Sequence, residues 1–540
     1  MINRVLPVVI VLFFTLVMNG QYISTVTIPD STKPKVSDPK DLSYRYASGI
    51  SPSTLRDHLR ILASDSLEGR ETGQKGMELA ADYISKVLSN LGLIPIAGTG
   101  NYFQHVSFTY SKWLNSELYV QGIKYRLLWD YITLSDRNES IELISDDEVL
   151  FLGYGIDDKK YSDYKNTDVK GKIIMINKGE PYDNNGNSII SGAMDASAWS
   201  GDINKKLELA KSKGVALVLI IEEDIKKLLE ENRRKLLSPN LQLGNFKNKP
   251  ILTANHVYIS STVAKSIIGD NEKQIIDARE KFAKGKPASV SLKTDIKMNM
   301  AKEITLLEGK NVAGLIKGRT KPEEFVIITA HYDHLGKRGD EIFNGADDNA
   351  SGTTTLLELA QACQQAVLEG NGPERSIVFL WFCGEEKGLL GSKYYVENPV
   401  FPLQNTVANI NIDMVGRIDN KYIENPDYIF VIGSDRLSSD LHRINETVNQ
   451  KYTQLTLDYT YNSETDPNQF YYRSDHYNFA KKGVPAIFFT DGTHEDYHRT
   501  TDDTEKIEFD KMAEVGKLIF HTMWELANRP DRIIVDGKIK

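Results

Sequence analysis

The stretch Ser376–Glu386, SIVFLWFCGEE, sets an unbroken apolar run from Ile377 to Cys383 directly before two adjacent carboxylates, Glu385 and Glu386. A strand that is apolar at every position, rather than at alternate ones, is buried on both faces. Carboxylates at the end of such a strand must be neutralised by a partner. Working outward, similar runs occur at Asn311–Ile316, Phe325–Ala330, Val407–Ile412, Tyr428–Ile432 and Ala486–Phe489. Helical patterns lie between these runs and again at Lys506–Leu526. This alternation predicts an α/β fold, with a mixed, largely parallel sheet flanked by helices on both faces.

Polar residues of such a sheet gather beyond the carboxyl ends of its strands. His331 follows FVIITA, Glu385 and Glu386 follow SIVFLWFCG, and Asp413 ends NTVANINID. His498 lies a few residues past AIFFTDG, and Asp348 sits in NGADDNASG, a turn expected to open a helix over Thr353–Leu368. Any one of these motifs has a plain explanation as a turn, a helix cap or a solvated charge. Together they offer two imidazoles and three carboxylates, a donor set suited to zinc. Asp348, with two oxygens, is the residue expected to bridge two cations. His331 and Asp413 would complete one metal site, and Glu386 and His498 the other. Asp333, two residues beyond His331, is expected to accept the imidazole's second N–H and fix the ring. Glu385 is the expected general base, and Tyr497 the expected donor to a developing oxyanion. His334, His476 and His494 lie near the motifs as possible supporting groups. His58, His105, His256, His442 and His521 read as surface or packing residues.

The 540-residue chain is long enough for two or three domains. Its formal net charge of −9 and lack of a long basic run argue against a nucleic-acid partner. Residues 1–20 combine Arg4, the apolar Val5–Met18 and a polar break at Asn19–Gln21. That is the pattern of a cleaved secretory signal, too short for a comfortable membrane span, so a secreted or periplasmic location is expected, with no stable membrane span after cleavage. The two cysteines, Cys363 and Cys383, provide no disulfide framework. They are expected as buried thiols that pack like small hydrophobes. The oligomeric state is not legible in the sequence.

Residues 21–45, with Pro29, Pro34 and Pro39, read as a linker. Residues 46–140 read as the first part of a catalytic domain, with helices over Ser53–Ala63 and Lys75–Leu91 separated by the polar loop DSLEGRETGQKG. Residues 141–295 change character and hold none of the expected ligands, so they read as an inserted smaller domain. Strands are expected there at Val149–Leu152, Lys172–Ile176 and Gly214–Ile221, with a helix over Lys205–Ser212. Residues 296–530 form the remainder of the catalytic domain.

The ordered set AHYDH, GADDNASG, CGEEKGLLGS, NIDMVG and YHRTTDD resembles the M28 family of zinc metallopeptidases. The segments GYGIDDKKYSDYKNTDVKGKIIMINKGEP and KSKGVALVLI are similar to a protease-associated (PA) domain. The resemblance implies a phosphorylase/hydrolase-like catalytic fold with a PA insertion. It also implies a co-catalytic site of two Zn2+ per chain, in which Asp348 bridges, Glu385 is the base and Tyr497 is the oxyanion donor. The expected reaction is hydrolysis of N-terminal residues from a peptide substrate. A carboxypeptidase or dipeptidase of the same family is the alternative, with Arg417 and Arg473 as candidate carboxylate grips. A single-zinc glutaminyl cyclase and a binding protein on a degenerate peptidase scaffold are further readings. Retention of every expected ligand disfavours both of these.

Overall fold

The computed structural model describes residues 26–96, 100–233, 236, 240–246 and 250–538. The expected signal segment lies outside the described residues. Two compact units are present, one formed by Met1–Val106 with Glu308–Lys540 and the other by Ser107–Leu307.

In the first unit the sheet order is Val26–Thr27, Thr456–Asp458, Tyr428–Ile432, Ala486–Thr490, Thr406–Ile412, Lys321–His331, Arg375–Phe382 and the end of Val290–Ile316. The four strands Ala486–Thr490, Thr406–Ile412, Lys321–His331 and Arg375–Phe382 pair in parallel, and antiparallel strands close both sides. Every residue of Arg375–Phe382 is buried, in keeping with its unbroken apolar pattern. One sheet face carries Ile327, Val378, Leu380 and Phe382 against Tyr395, Val396 and Phe479. On the other side the helices Gly352–Leu368 and Phe509–Asn528 pack on the strands Lys321–His331 and Thr406–Ile412. Trp381 Nε1 donates to the Thr353 carbonyl at 3.1 Å. Each such aromatic or aliphatic side chain contributes about 2 kcal/mol by leaving water.

The helix Lys75–Leu91 buries Met77, Ala80, Ile84 and Leu88 and stops at Gly92, whose φ of 79° ends the helix in the left-handed region. Cys363 and Cys383 are buried free thiols.

In the second unit the strand order is Val290–Ile316, Ile141–Phe151, Ile173–Asn177, Leu217–Glu222, His256–Ser260 and Tyr131–Ile132. Ile173–Asn177, Leu217–Glu222 and His256–Ser260 run parallel. Leu217, Leu219, Val257 and Ile259 belong to one apolar cluster, and Val218, Ile220 and Tyr258 to another.

Three expectations change. The compact second unit spans Ser107–Leu307 rather than 141–295, because two long strands, Phe103–Val120 and Val290–Ile316, carry the chain across the expected limits. Their polar alternate positions hide them from a search for apolar runs. The expected linker 21–45 is partly structured: Val26–Thr27 pairs with Thr456–Asp458, Val36 N donates to the Lys451 carbonyl at 2.9 Å, and a helix starts at Leu42. The polar loop DSLEGRETGQKG contains a helical turn at Asp65–Arg70, and Arg70 is only 1% exposed.

Candidate active site

The parallel strands bring the predicted residues to one edge of the sheet. His331 is the last residue of Lys321–His331, and Asp413 directly follows Thr406–Ile412. Glu385 and Glu386 lie just past Arg375–Phe382, and His498 lies in the loop after Ala486–Thr490. Asp348 is in the turn Ala346–Ser351 that leads into the helix Gly352–Leu368.

His331 Nε2 stands 3.1 Å from Asp413 Oδ1 and 3.4 Å from Asp348 Oδ1. The second oxygen of Asp348 faces the other way, 3.0 Å from His498 Nε2 and 3.7 Å from His334 Nδ1. Glu386 Oε1 is 2.9 Å from His334 Nδ1 and 3.4 Å from His498 Nε2. Asp348 therefore belongs to both groups of donor atoms, one with His331 and Asp413 and one with His334 and Glu386. All five expected ligands meet here. His334, expected only as a supporting group, stands among them.

The residues fit a pair of divalent metal ions. Both ring nitrogens of His334 and Nε2 of His498 are buried without a hydrogen bond, although carboxylate oxygens lie close by. Such facing nitrogens and oxygens leave buried polar atoms unsatisfied unless a cation or a proton joins them. Nitrogen and carboxylate oxygen donors of this kind suit zinc.

The electrostatics are those of crowded acids and imidazoles. Burial opposes charge on Asp348, but the neighbouring imidazoles of His331, His498 and His334 hold its carboxyl well below the ordinary range. Burial likewise opposes charge on His498, yet Asp348 and Glu386 raise it to about 10. Glu385 goes the other way. Burial and the neighbouring carboxylates of Glu386, Asp413 and Asp475 push it well up, and His331 offsets only part of this. A carboxyl that readily holds a proton is what a proton shuttle needs. Tyr497 stacks on the His498 ring with centroids 3.9 Å apart, and burial beside Asp348 and Glu386 keeps its phenol protonated.

Asp333 meets the second ring nitrogen of His331 through its main chain. The imidazole Nδ1 of His331 is 3.1 Å from the Asp333 backbone carbonyl, whereas the nearest carboxylate oxygen is 3.9 Å away. The Asp333 carboxylate instead accepts the Glu385 backbone N–H at 3.1 Å and the Thr72 hydroxyl at 2.6 Å. It fixes the segment that carries the expected base. Spacing along the strand placed Asp333 near His331 but not the direction of its side chain.

Several supporting residues were not singled out beforehand. Ser474 Oγ donates to Asp413 Oδ2 at 2.7 Å. Asp502 accepts the backbone N–H groups of Asp347 and Asp348, all at 3.1 Å. Asp347 accepts from Gly416 N at 2.7 Å and meets His494 Nε2 at 3.1 Å. Asn349 donates to the Ile412 carbonyl at 2.9 Å and accepts from Met414 N at 3.1 Å, tying the Asp348 turn to the Asp413 strand. Gly345 has φ 55°, and a Cβ there would stand 2.2 Å from the Asp348 carbonyl and 2.5 Å from the His334 ring. The one sequence signal for the acids was charge in motifs flanked by apolar strands. Of the two candidate grips, Arg417 is taken up by Asp496 at 2.9 Å.

The stretch of chain that carries these residues is similar to known proteins. The chain matches peptidase family M28 over residues 311–523. A probable leucine aminopeptidase of Trichophyton verrucosum (strain HKI 0517) is 32% identical over 224 residues, which are 40% of this chain and 57% of the relative. Aminopeptidase YwaD of Bacillus subtilis (strain 168) is 29% identical over 236 residues, 42% of this chain and 47% of the relative. The chain thus spans about half the length of the curated relatives it matches. Among solved structures, an aminopeptidase from Aneurinibacillus sp. strain AM-1 shares the fold, with a TM-score of 0.52 at 18% identity over 92% of this chain and 98% of that one. The M28 match takes in His331, Asp348, Glu385, Glu386, Asp413 and His498.

Proposed function

We propose that the chain is a zinc exopeptidase that removes N-terminal residues from peptides. The observation that carries this reading is Asp348, whose two oxygens face two separate groups of nitrogen and oxygen donors, in a cleft that Glu385 also lines. His331, Asp348 and Asp413 would hold one zinc ion, and Asp348, Glu386 and His498 the second, with His334 against Glu386. When bound, the two ions polarise the scissile carbonyl and lower the pKa of water.

The remaining roles fall to the chain's own side chains. Glu385 takes a proton from the attacking water and delivers it to the leaving amine. Asp333 holds the Glu385 backbone in place for that transfer. The Tyr497 hydroxyl donates to the oxygen that gains charge as the carbonyl becomes tetrahedral. The free α-amine of the substrate is cationic and is attracted to Glu385 and Asp413, which line the same cleft. No described helix is long and apolar enough to cross a membrane. Reading residues 1–20 as a cleaved signal places the reaction outside the cytoplasm, and residues 141–295 as a PA domain would leave the chemistry to the other unit.

The test pairs Glu385→Gln with metal analysis. Its kcat/KM on leucyl-nitroanilide should fall by about 10³, within the range for loss of a general base, while two zinc ions per chain remain. Turnover within a few-fold of the parent, or one zinc per chain in the active protein, would overturn the mechanism.

A further inference from the structure

The cleft over the site is lined by acids, Asp348, Glu385 and Asp413, and by aromatic walls from Phe470 and Phe488. One residue breaks this pattern. Arg473 is the single cation among the described residues lining the cleft. It follows the short turn Phe470–Tyr472, and its guanidinium lies 4.8 Å from the centre of the Phe470 ring. One N–H group reaches the Tyr497 hydroxyl at 3.2 Å. Arginine carries five N–H donors, and no carboxylate pairs with this one among the described residues. The side chain is exposed at the cleft although acids surround the floor. Arg417, by comparison, is neutralised by Asp496 at 2.9 Å.

Resting on the aminopeptidase reading, we propose that Arg473 forms a carboxylate-binding subsite beside Tyr497, so that the preferred substrates carry an anionic group near the scissile bond. Stacking on Phe470 restricts the guanidinium plane and leaves its edge for a planar, two-pronged contact with a carboxylate. Charge explains the arrangement. The floor acids attract the substrate amine but repel any substrate carboxylate, and a lone cation beside Tyr497 reverses that repulsion locally. The carboxylate has two possible sources, an acidic N-terminal side chain or the C-terminus of a dipeptide.

Calorimetry on the zinc-loaded protein in a Glu385→Gln background, in which turnover is suppressed and the ligands stay intact, separates the sources. One arm compares glutamate with glutamine, and the other Ala-Ala with its C-terminal amide. In at least one arm the carboxylate ligand should bind about tenfold more tightly than its amide. Arg473→Met should remove that ratio and Arg473→Glu should invert it, whatever either change does to turnover through Tyr497. No preference in either arm, or a preference that survives in Arg473→Met, overturns the subsite. The two readings fail separately. A parent that hydrolyses leucyl-nitroanilide without showing the ratio loses only the subsite, and one that shows the ratio without hydrolysis loses only the peptidase assignment.

Discussion

Arg70 is the perturbation that best tests how the site is built. It lies in a glycine-rich polar stretch yet is 1% exposed. Its guanidinium donates to the carbonyls of Tyr332 at 2.8 Å, Asn344 at 2.7 Å and Gly345 at 2.9 Å, and also to that of Leu62. These acceptors flank His331 on one side and the Asp348 turn on the other. Burial lowers the pKa of Arg70 to about 10, and Asp348, Asp502, Asp333 and Glu386 act to hold the charge. Arg70→Met fills much of the volume but leaves buried carbonyls without a donor, each costing about 1–3 kcal/mol. It also removes a cation from a cluster of acids, and breaking a buried charge arrangement costs about 3–5 kcal/mol. These effects overlap, so the expected loss is about 4 kcal/mol, with Arg70→Lys near about 2 kcal/mol because it keeps the charge and loses the fork. With two units a single unfolding midpoint is ambiguous, so amide hydrogen exchange of Lys321–His331 is the suitable readout. A loss of about 4 kcal/mol corresponds to exchange faster by about 10³. A change below about 1 kcal/mol would refute the view that Arg70 braces the site.

Two further outcomes follow from the same contacts. Asp502→Asn weakens the acceptor that holds the Asp347 and Asp348 N–H groups, so zinc affinity should fall by about 10–100-fold with the fold retained; competition with a chelator of known affinity measures it, and unchanged affinity counts against the role. Burial raises Glu358 to about 7, with Thr54 donating to Oε2 at 2.6 Å and His58 Nε2 standing 3.7 Å from Oε1, beyond hydrogen-bond reach. Its folded pKa exceeds the unfolded value, so its stabilising proton is present below about 4.3 and is lost as pH rises through about 7. Glu358→Gln should therefore be more stable than the parent at pH 8, by about 3 kcal/mol, and nearly equal to it at pH 4. Equal amide-exchange protection of the helix Gly352–Leu368 in the two proteins at pH 8 would contradict this.

Much of the catalytic unit was legible because its strands announce themselves. Ser376–Phe382 has no alternation to hide, and a strand buried on both faces admits few places in a sheet. The site was legible for a related reason. Charged residues at the ends of such strands cannot be solvated by chance, and the order of the motifs carries the family resemblance. The second unit was less legible. Its long strands Phe103–Val120 and Val290–Ile316 mix polar with apolar positions, so their limits do not show as composition changes.

By itself the sequence determined which residue types stand at the strand ends and hence which donors are available. Tertiary structure alone decided where they point. Asp333 turned to Glu385 and Thr72 rather than to His331, His334 came in beside Glu386, and Arg70 entered the interior from a segment that looked solvent-exposed. The physical reason is that strand periodicity fixes the position of a Cβ, whereas the direction of a buried polar side chain is set by whichever donors and acceptors distant segments bring to it.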